Sequence, residues 1–173
     1  GPFFEETIYI TPPDLGPGIE QKITDAVRAA CAAYGLDHGP VHAECRINED
    51  GVWLIELAPR TIGGKCSRIF QSGVGQALED IVILNALGRS PLVKSPVGVM
   101  GVMMIPVPRP GILRRVEGIE AARCVDHINE IEIDIKPGQQ LMPWPEGSSY
   151  PGFIFARGSS QHLVTEALRM AHR

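Results

Sequence analysis

His42-Ala43-Glu44-Cys45-Arg46-Ile47-Asn48-Glu49-Asp50-Gly51-Val52-Trp53-Leu54-Ile55-Glu56-Leu57-Ala58-Pro59-Arg60 is the stretch on which the fold turns. Apolar and polar residues alternate on both sides of Asn48-Glu49-Asp50-Gly51, which predicts two strands joined by a tight turn. A three-residue loop, 49–51, with Gly51 in the left-handed position opposes Val41, Ala43, Cys45 and Ile47 to Pro59, Leu57, Ile55 and Trp53. That face is entirely apolar. The other face pairs His42 with Ala58, Glu44 with Glu56 and Arg46 with Leu54. A slip of one residue buries the charges and exposes the apolar set, so the register is well specified.

Glu44 across from Glu56 is the first functional signal, because like charges directly opposed in a sheet are destabilising. Cβ atoms of such a pair lie about 4.5–5.5 Å apart, close enough for both carboxylates to hold one hard cation. Mg2+ or Mn2+ suits carboxylate oxygens, and Mg2+ commonly takes one or two carboxylates plus substrate phosphates. The competing reading is a solvated pair with Arg46 neutralising Glu56 on the diagonal. Arg60, at the mouth of the strand, has the fork to take a phosphate or carboxylate, or serves as an ordinary strand-end arginine. Gly63-Gly64 offers backbone N–H groups to an anion, or is simply a loop. His42 reads as a hydrogen-bonded strand histidine beside Glu44.

Around this hairpin the pattern continues. Phe3 to Ile10 reads as a strand stopped by Thr11-Pro12-Pro13, and Ile19 to Tyr34 as an amphipathic helix ended by Gly35. A second helix is predicted over 76–87, and Arg89 to Pro96 as a connector. Beyond it come strands over 97–107 and 112–116, a short helix over 119–124, and a half-exposed strand over 128–135. In that strand Ile131, Ile133 and Ile135 alternate with Glu130, Glu132 and Asp134. A strand over 153–157 and a last helix capped by Ser159 or Ser160 complete the chain. Met100, Met103 and Met104 read as core filler.

Composition sets limits. The chain has 173 residues, 44% of them hydrophobic, and 16 Lys and Arg against 20 Asp and Glu give a net charge of −4. That balance argues against a nucleic-acid surface, and no apolar run reaches the ~18 residues of a membrane span. No signal peptide is expected, since Phe3 to Ile10 is short and includes Glu5 and Glu6. Cys31, Cys45, Cys66 and Cys124 share no CxxC spacing, which predicts reduced, mostly buried thiols in a cytoplasmic protein. The chain enters a strand almost at once after Gly1-Pro2, so a piece of something longer is expected.

A glutamate in a His-x-Glu strand, a hairpin, then Glu-x-x-Pro-Arg and a glycine-rich loop resembles the C-terminal lobe of ATP-grasp enzymes. These ligases join a carboxylate to an amine or similar nucleophile at the expense of ATP. Ala58 stands where many members have Asn. Glu-Leu-Ala-Pro-Arg-Thr-Ile-Gly-Gly, with Phe-Phe-Glu-Glu-Thr-Ile-Tyr upstream, is similar to the amino-acid-ligase-like carboxylate–amine ligases. The second half, from Gly111-Ile112-Leu113 through Asp134-Ile135-Lys136-Pro137-Gly138 to the last helix, is similar to the small C-terminal domain of the same branch.

The resemblance implies an α+β fold. An antiparallel sheet with flanking helices occupies 1–94 as part of the ATP-grasp lobe, and a small α+β domain occupies 95–173. It implies ATP and Mg2+ (or Mn2+) as cofactors, small-molecule carboxylate and amine substrates, and an acyl-phosphate intermediate. Glu44 and Glu56 would be metal ligands, Arg60 the catalytic clamp on the acyl phosphate or the tetrahedral oxyanion and a nucleotide contact, and Gly63 a nucleotide contact. The missing N-terminal part of the enzyme would supply the phosphate-gripping lysines and the adenine hinge. Lys22, Lys65, Lys94 and Lys136 lie in the wrong contexts for that task, so the isolated chain is expected to be inactive. Neither nucleic acid nor membrane is implied as a partner, and a homodimer remains open. The rival readings are a stand-alone metal- or ligand-binding module without catalysis, which Ala58 favours, and part of a biotin-carboxylase or carbamoyl-phosphate-type enzyme.

Overall fold

The computed structural model describes residues 6–91, 94–147 and 149–173. It has two compact units that interleave along the chain: 1–13 with 64–75 and 94–173, and 14–63 with 76–93. The sequence predicts consecutive segments cut at 94. Instead β1 and α2, both from the first half, fold with the second half.

The smaller unit holds α1 (Ile19–Tyr34), β2 (His42–Asn48), β3 (Gly51–Ala58) and α3 (Leu78–Ala86). α1 has the predicted bounds. Gly35 ends it at φ 68°, and its N–H donates to the Ala32 carbonyl, while the Leu36 N–H reaches back to Cys31 at 2.9 Å. α1 lies against β3. No hydrophobic side chain among the described residues of this unit is fully buried.

The hairpin departs from the predicted turn. Asn48 pairs with Gly51, so the loop has two residues, Glu49 and Asp50, and not three. The Asn48 side chain explains this: its Oδ1 accepts from the N–H groups of Asp50 and Gly51, each at 3.1 Å. Arg46 then faces Trp53 and Cys45 faces Leu54, and the register shifts between Glu44 and Cys45. Ile55 is the extra residue of a β-bulge. Past the bulge the predicted register holds, with Glu44 opposite Glu56, Ala43 opposite Leu57 and His42 opposite Ala58. Trp53 and Ile55 are therefore not partners of Ile47 and Cys45 on the apolar face.

The larger unit is a four-stranded antiparallel sheet in the order β1-β4-β8-β6, from Ile8–Thr11, Val99–Met104, Gly152–Gly158 and Ile128–Ile133. α4 (Ile119–Arg123) and α5 (Gln161–Ala171) pack on one face, where Met103, Ile131, Ile154 and Ala156 meet Val164, Ala167 and Leu168. α2 (Cys66–Val74) covers the other, next to β4 and β1. Met100, Met103 and Met104 are all buried core, as predicted. Gly101 lets α5 approach β4: a Cβ there would sit 2.5 Å from Val164 and 3.0 Å from Leu168.

Other differences are local. Phe3 to Glu5 of the predicted first strand, and Leu92 and Val93 of the connector, lie outside the described residues. The helix predicted over 76–87 is α3, but α2 before it was not predicted. The strand expected over 112–116 is reduced to β5 (Gly111–Ile112), paired with β7 (Gln140–Leu141). Ser160 is the cap of α5, its Oγ accepting from Leu163 N–H at 3.3 Å. Of the cysteines only Cys66 is buried; Cys31 and Cys45 are half-buried and Cys124 is exposed.

Candidate functional site

Every predicted site residue lies in the smaller unit. β2 presents His42, Glu44 and Arg46 on one face by strand alternation, and pairing places Ala58, Glu56 and Trp53 on the same side. Glu44 and Glu56 are direct cross-strand partners. Each has a cationic or polar neighbour. Glu44 meets the His42 imidazole at 3.2 Å, and Glu56 accepts from Arg60 at 3.0 Å. Arg60, four residues on, is thus an ion-pair partner of Glu56.

Arg60 is held by its surroundings. Its backbone N–H closes a tight turn onto the Ala58 carbonyl at 2.8 Å, and its guanidinium also donates to the Thr61 carbonyl at 3.1 Å. The side chain stays about half exposed, so the guanidinium still meets solvent while it holds Glu56. At Gly63 a Cβ would meet nothing within 4 Å, so the loop leaves space beside its backbone.

Glu44 and Glu56 are the residues that could hold a divalent ion. Two carboxylates on one face offer hard oxygens at the edge of solvent, and among the described residues no third carboxylate, His or Cys completes a ligand cluster with them. Substrate oxygens and water would supply the remaining positions, the usual arrangement for Mg2+. Ala58, where the ATP-grasp pattern commonly has Asn, adds no ligand.

The larger unit holds a charge network that sequence reasoning missed. Lys65 donates to Glu132 at 2.5 Å and to Asp134 at 2.7 Å, while Arg68 binds Glu130 at 2.6 Å and also Glu132. Both cations lie over aromatic rings, Lys65 on Phe153 and Arg68 on Phe155, each 4.5 Å from the centroid. Lys65 hydrogen bonding, reinforced by Arg68, holds the Glu132 carboxyl below its ordinary range despite the opposing cost of burial. Hydrogen bonds to Asp134 and then to Glu132 raise Lys65. Its ammonium is thus committed to acidic partners. The alternating acids of β6 and the three-residue spacing of Lys65 and Arg68 were visible signals; their meeting was not.

Two family models match the chain. Residues 1–69 match the ATP-grasp domain, and residues 103–173 match the L-amino acid ligase C-terminal domain 2. Among solved structures, L-amino acid ligase from Bacillus licheniformis superposes with a TM-score of 0.83 at 30% identity, over 98% of this chain and 43% of that one. Phosphoribosylglycinamide synthetase from Anaerococcus prevotii superposes with a TM-score of 0.73 at 16% identity, over 98% of this chain and 45% of that one, a likeness of fold alone. An uncharacterized protein of Sinorhizobium fredii is 24% identical over 153 residues, 86% of this chain and 32% of its own length. The chain therefore spans less than half the length of these relatives. Among the described residues no helix is long and apolar enough to cross a membrane. The chain thus carries a match to the ATP-grasp domain over residues 1–69 and to the C-terminal domain of L-amino acid ligases over residues 103–173.

Proposed function

We propose that this chain is the C-terminal part of an ATP-dependent carboxylate–amine ligase of the amino-acid type, working in the cytoplasm on small-molecule substrates. The observation that carries this reading is the direct opposition of Glu44 and Glu56 beside Arg60 on one face of the hairpin. Glu44 and Glu56 would hold Mg2+ or Mn2+, which would supply positive charge to offset that developing on the ATP phosphates.

The chain's own residues have separable tasks. Glu56 holds Arg60 in place through their 3.0 Å contact. Arg60 then faces a phosphate or carboxylate with a planar, permanently charged fork. In the reaction a substrate carboxylate oxygen attacks the γ-phosphorus of ATP, ADP departs, and an amine displaces phosphate from the resulting acyl phosphate. Arg60 stabilises the negative charge on that acyl phosphate, and electrostatic roles of this kind are worth about 3–4 kcal/mol. His42, hydrogen-bonded to Glu44, keeps that carboxylate oriented. Gly63 leaves its backbone open to the same anion.

The groups that grip the far side of the nucleotide would come from the preceding part of the same enzyme, so the isolated chain is inactive. In the full-length gene product, amino-acid-dependent ADP release measures the reaction directly. Glu56→Gln is expected to abolish it with the fold retained. Full turnover by Glu56→Gln would overturn the reading in favour of a binding module.

A further inference from the structure

Two cations have a claim on Glu56. Arg60 donates to its Oε1 at 3.0 Å, and the ligase reading gives the same carboxylate to a metal ion. Both claims cannot be met in full. A guanidinium takes up part of the carboxylate's charge, and its own positive charge repels a second cation beside it. Among the described residues no third carboxylate, His or Cys completes a cluster that would make up the loss.

The two carboxylates differ in how firmly their partners are held. His42, bonded to Glu44 at 3.2 Å, is 13% exposed and sits inside the ladder opposite Ala58. Arg60 is 54% exposed and lies beyond the end of β3, on a turn closed by its own N–H to the Ala58 carbonyl. It is a long side chain with many rotamers, and an exposed ion pair of this kind is weak. Arg60 is therefore the partner that can leave. Its bonds to Glu56 and to the Thr61 carbonyl use only part of a guanidinium's five N–H donors, so an anion can engage the fork and draw it off the carboxylate.

We propose that the Glu56–Arg60 ion pair is a latch between a cation site and an anion site. A phosphate or acyl phosphate that takes Arg60 frees Glu56 for the metal ion, and a metal ion on Glu56 frees Arg60 for the anion. This rests on the ligase reading above and adds coupling of a defined sign to it. With neither ligand bound, carboxylate and guanidinium neutralise each other, so metal alone and phosphate alone are both held poorly. By linkage, phosphate tightens the metal by the same factor as metal tightens phosphate.

Mn2+ binding to the full-length gene product, followed by electron paramagnetic resonance, reads the latch without turnover. Inorganic phosphate should tighten Mn2+ about fivefold, the low end of coupling between sites and in scale with an exposed ion pair. Arg60→Gln should tighten Mn2+ by a similar factor with no phosphate present and should lose the response to phosphate. If phosphate acted only by touching the metal, that response would survive in Arg60→Gln, and the latch would be overturned. In metal-free protein, Glu56→Gln should bind phosphate more tightly than wild type, whereas Glu44→Gln, which removes an equal charge across the ladder, should not. Circular dichroism checks the fold of each variant. If Mn2+ binds Arg60→Gln no more tightly than wild type, the latch is overturned and the ligase reading stands. If the wild type binds no Mn2+ even with ADP, both fall.

Discussion

Glu44 stands directly opposite Glu56 in the β2–β3 ladder, and the ladder slips by one residue immediately beside them, at Ile55. Opposed carboxylates destabilise a hairpin, and here His42 and Arg60 offset each of them separately. The arrangement is one that a bound cation would relieve. Glu44→Gln is accordingly expected to leave the fold intact and raise thermal stability slightly in the absence of divalent ions, a shift measurable by calorimetry.

The Lys65–Glu132 pair gives the larger unit a pH dependence with a defined sign. Glu132 titrates below its ordinary value of 4.5, chiefly through Lys65 and then Arg68. Its contribution is therefore fully present above about pH 4.5 and is lost as pH falls through the lowered value. Lys65 titrates above its ordinary 10.5, so its contribution is present below that pH and lost as pH rises further. Urea midpoints should decline at both extremes, and Glu132→Gln should flatten the acid limb.

Gly101→Ala tests the close packing of α5 on β4. The new methyl would lie 2.5 Å from Val164 Cγ1, and Val164 is fully buried. Overpacking of this kind costs about 1–3 kcal/mol, read as a lowered urea midpoint with the slope unchanged. Wild-type stability in this variant would contradict the packing described.

Thiol labelling should rank the cysteines by environment. Cys124 is exposed and should react first. Cys66 is buried and burial pushes its thiol up to about 11, so it should react only on unfolding. Early modification of Cys66 in the folded chain would contradict its buried place at the start of α2.

Much of this architecture was legible because local signals agreed. α1 has a full helical period and a glycine stop, and its observed bounds, Ile19–Tyr34, match the reading. Glu44 and Glu56 were legible as a pair because the predicted register holds on their side of the bulge. The turn was misread because Asn48 can close a two-residue loop with its own side chain, a choice invisible to alternation. That misreading set Trp53 opposite Ile47 on the apolar face, where the ladder pairs it with Arg46. α2 was missed because it begins at a left-handed Lys65, φ 57°, with no side-chain cap. What holds it is long-range: Lys65 reaches Glu132 and Asp134 across 67 and 69 residues of sequence. β1 likewise owes its place to pairing with β4, which no local pattern announces.

Mn2+ binding followed by electron paramagnetic resonance, in the presence of ADP, tests most directly whether Glu44 and Glu56 form one cation site. The account predicts a single bound Mn2+ per chain that is lost in both Glu44→Gln and Glu56→Gln, with circular dichroism unchanged. Binding that survives both substitutions, or is absent from the unaltered chain, would contradict it.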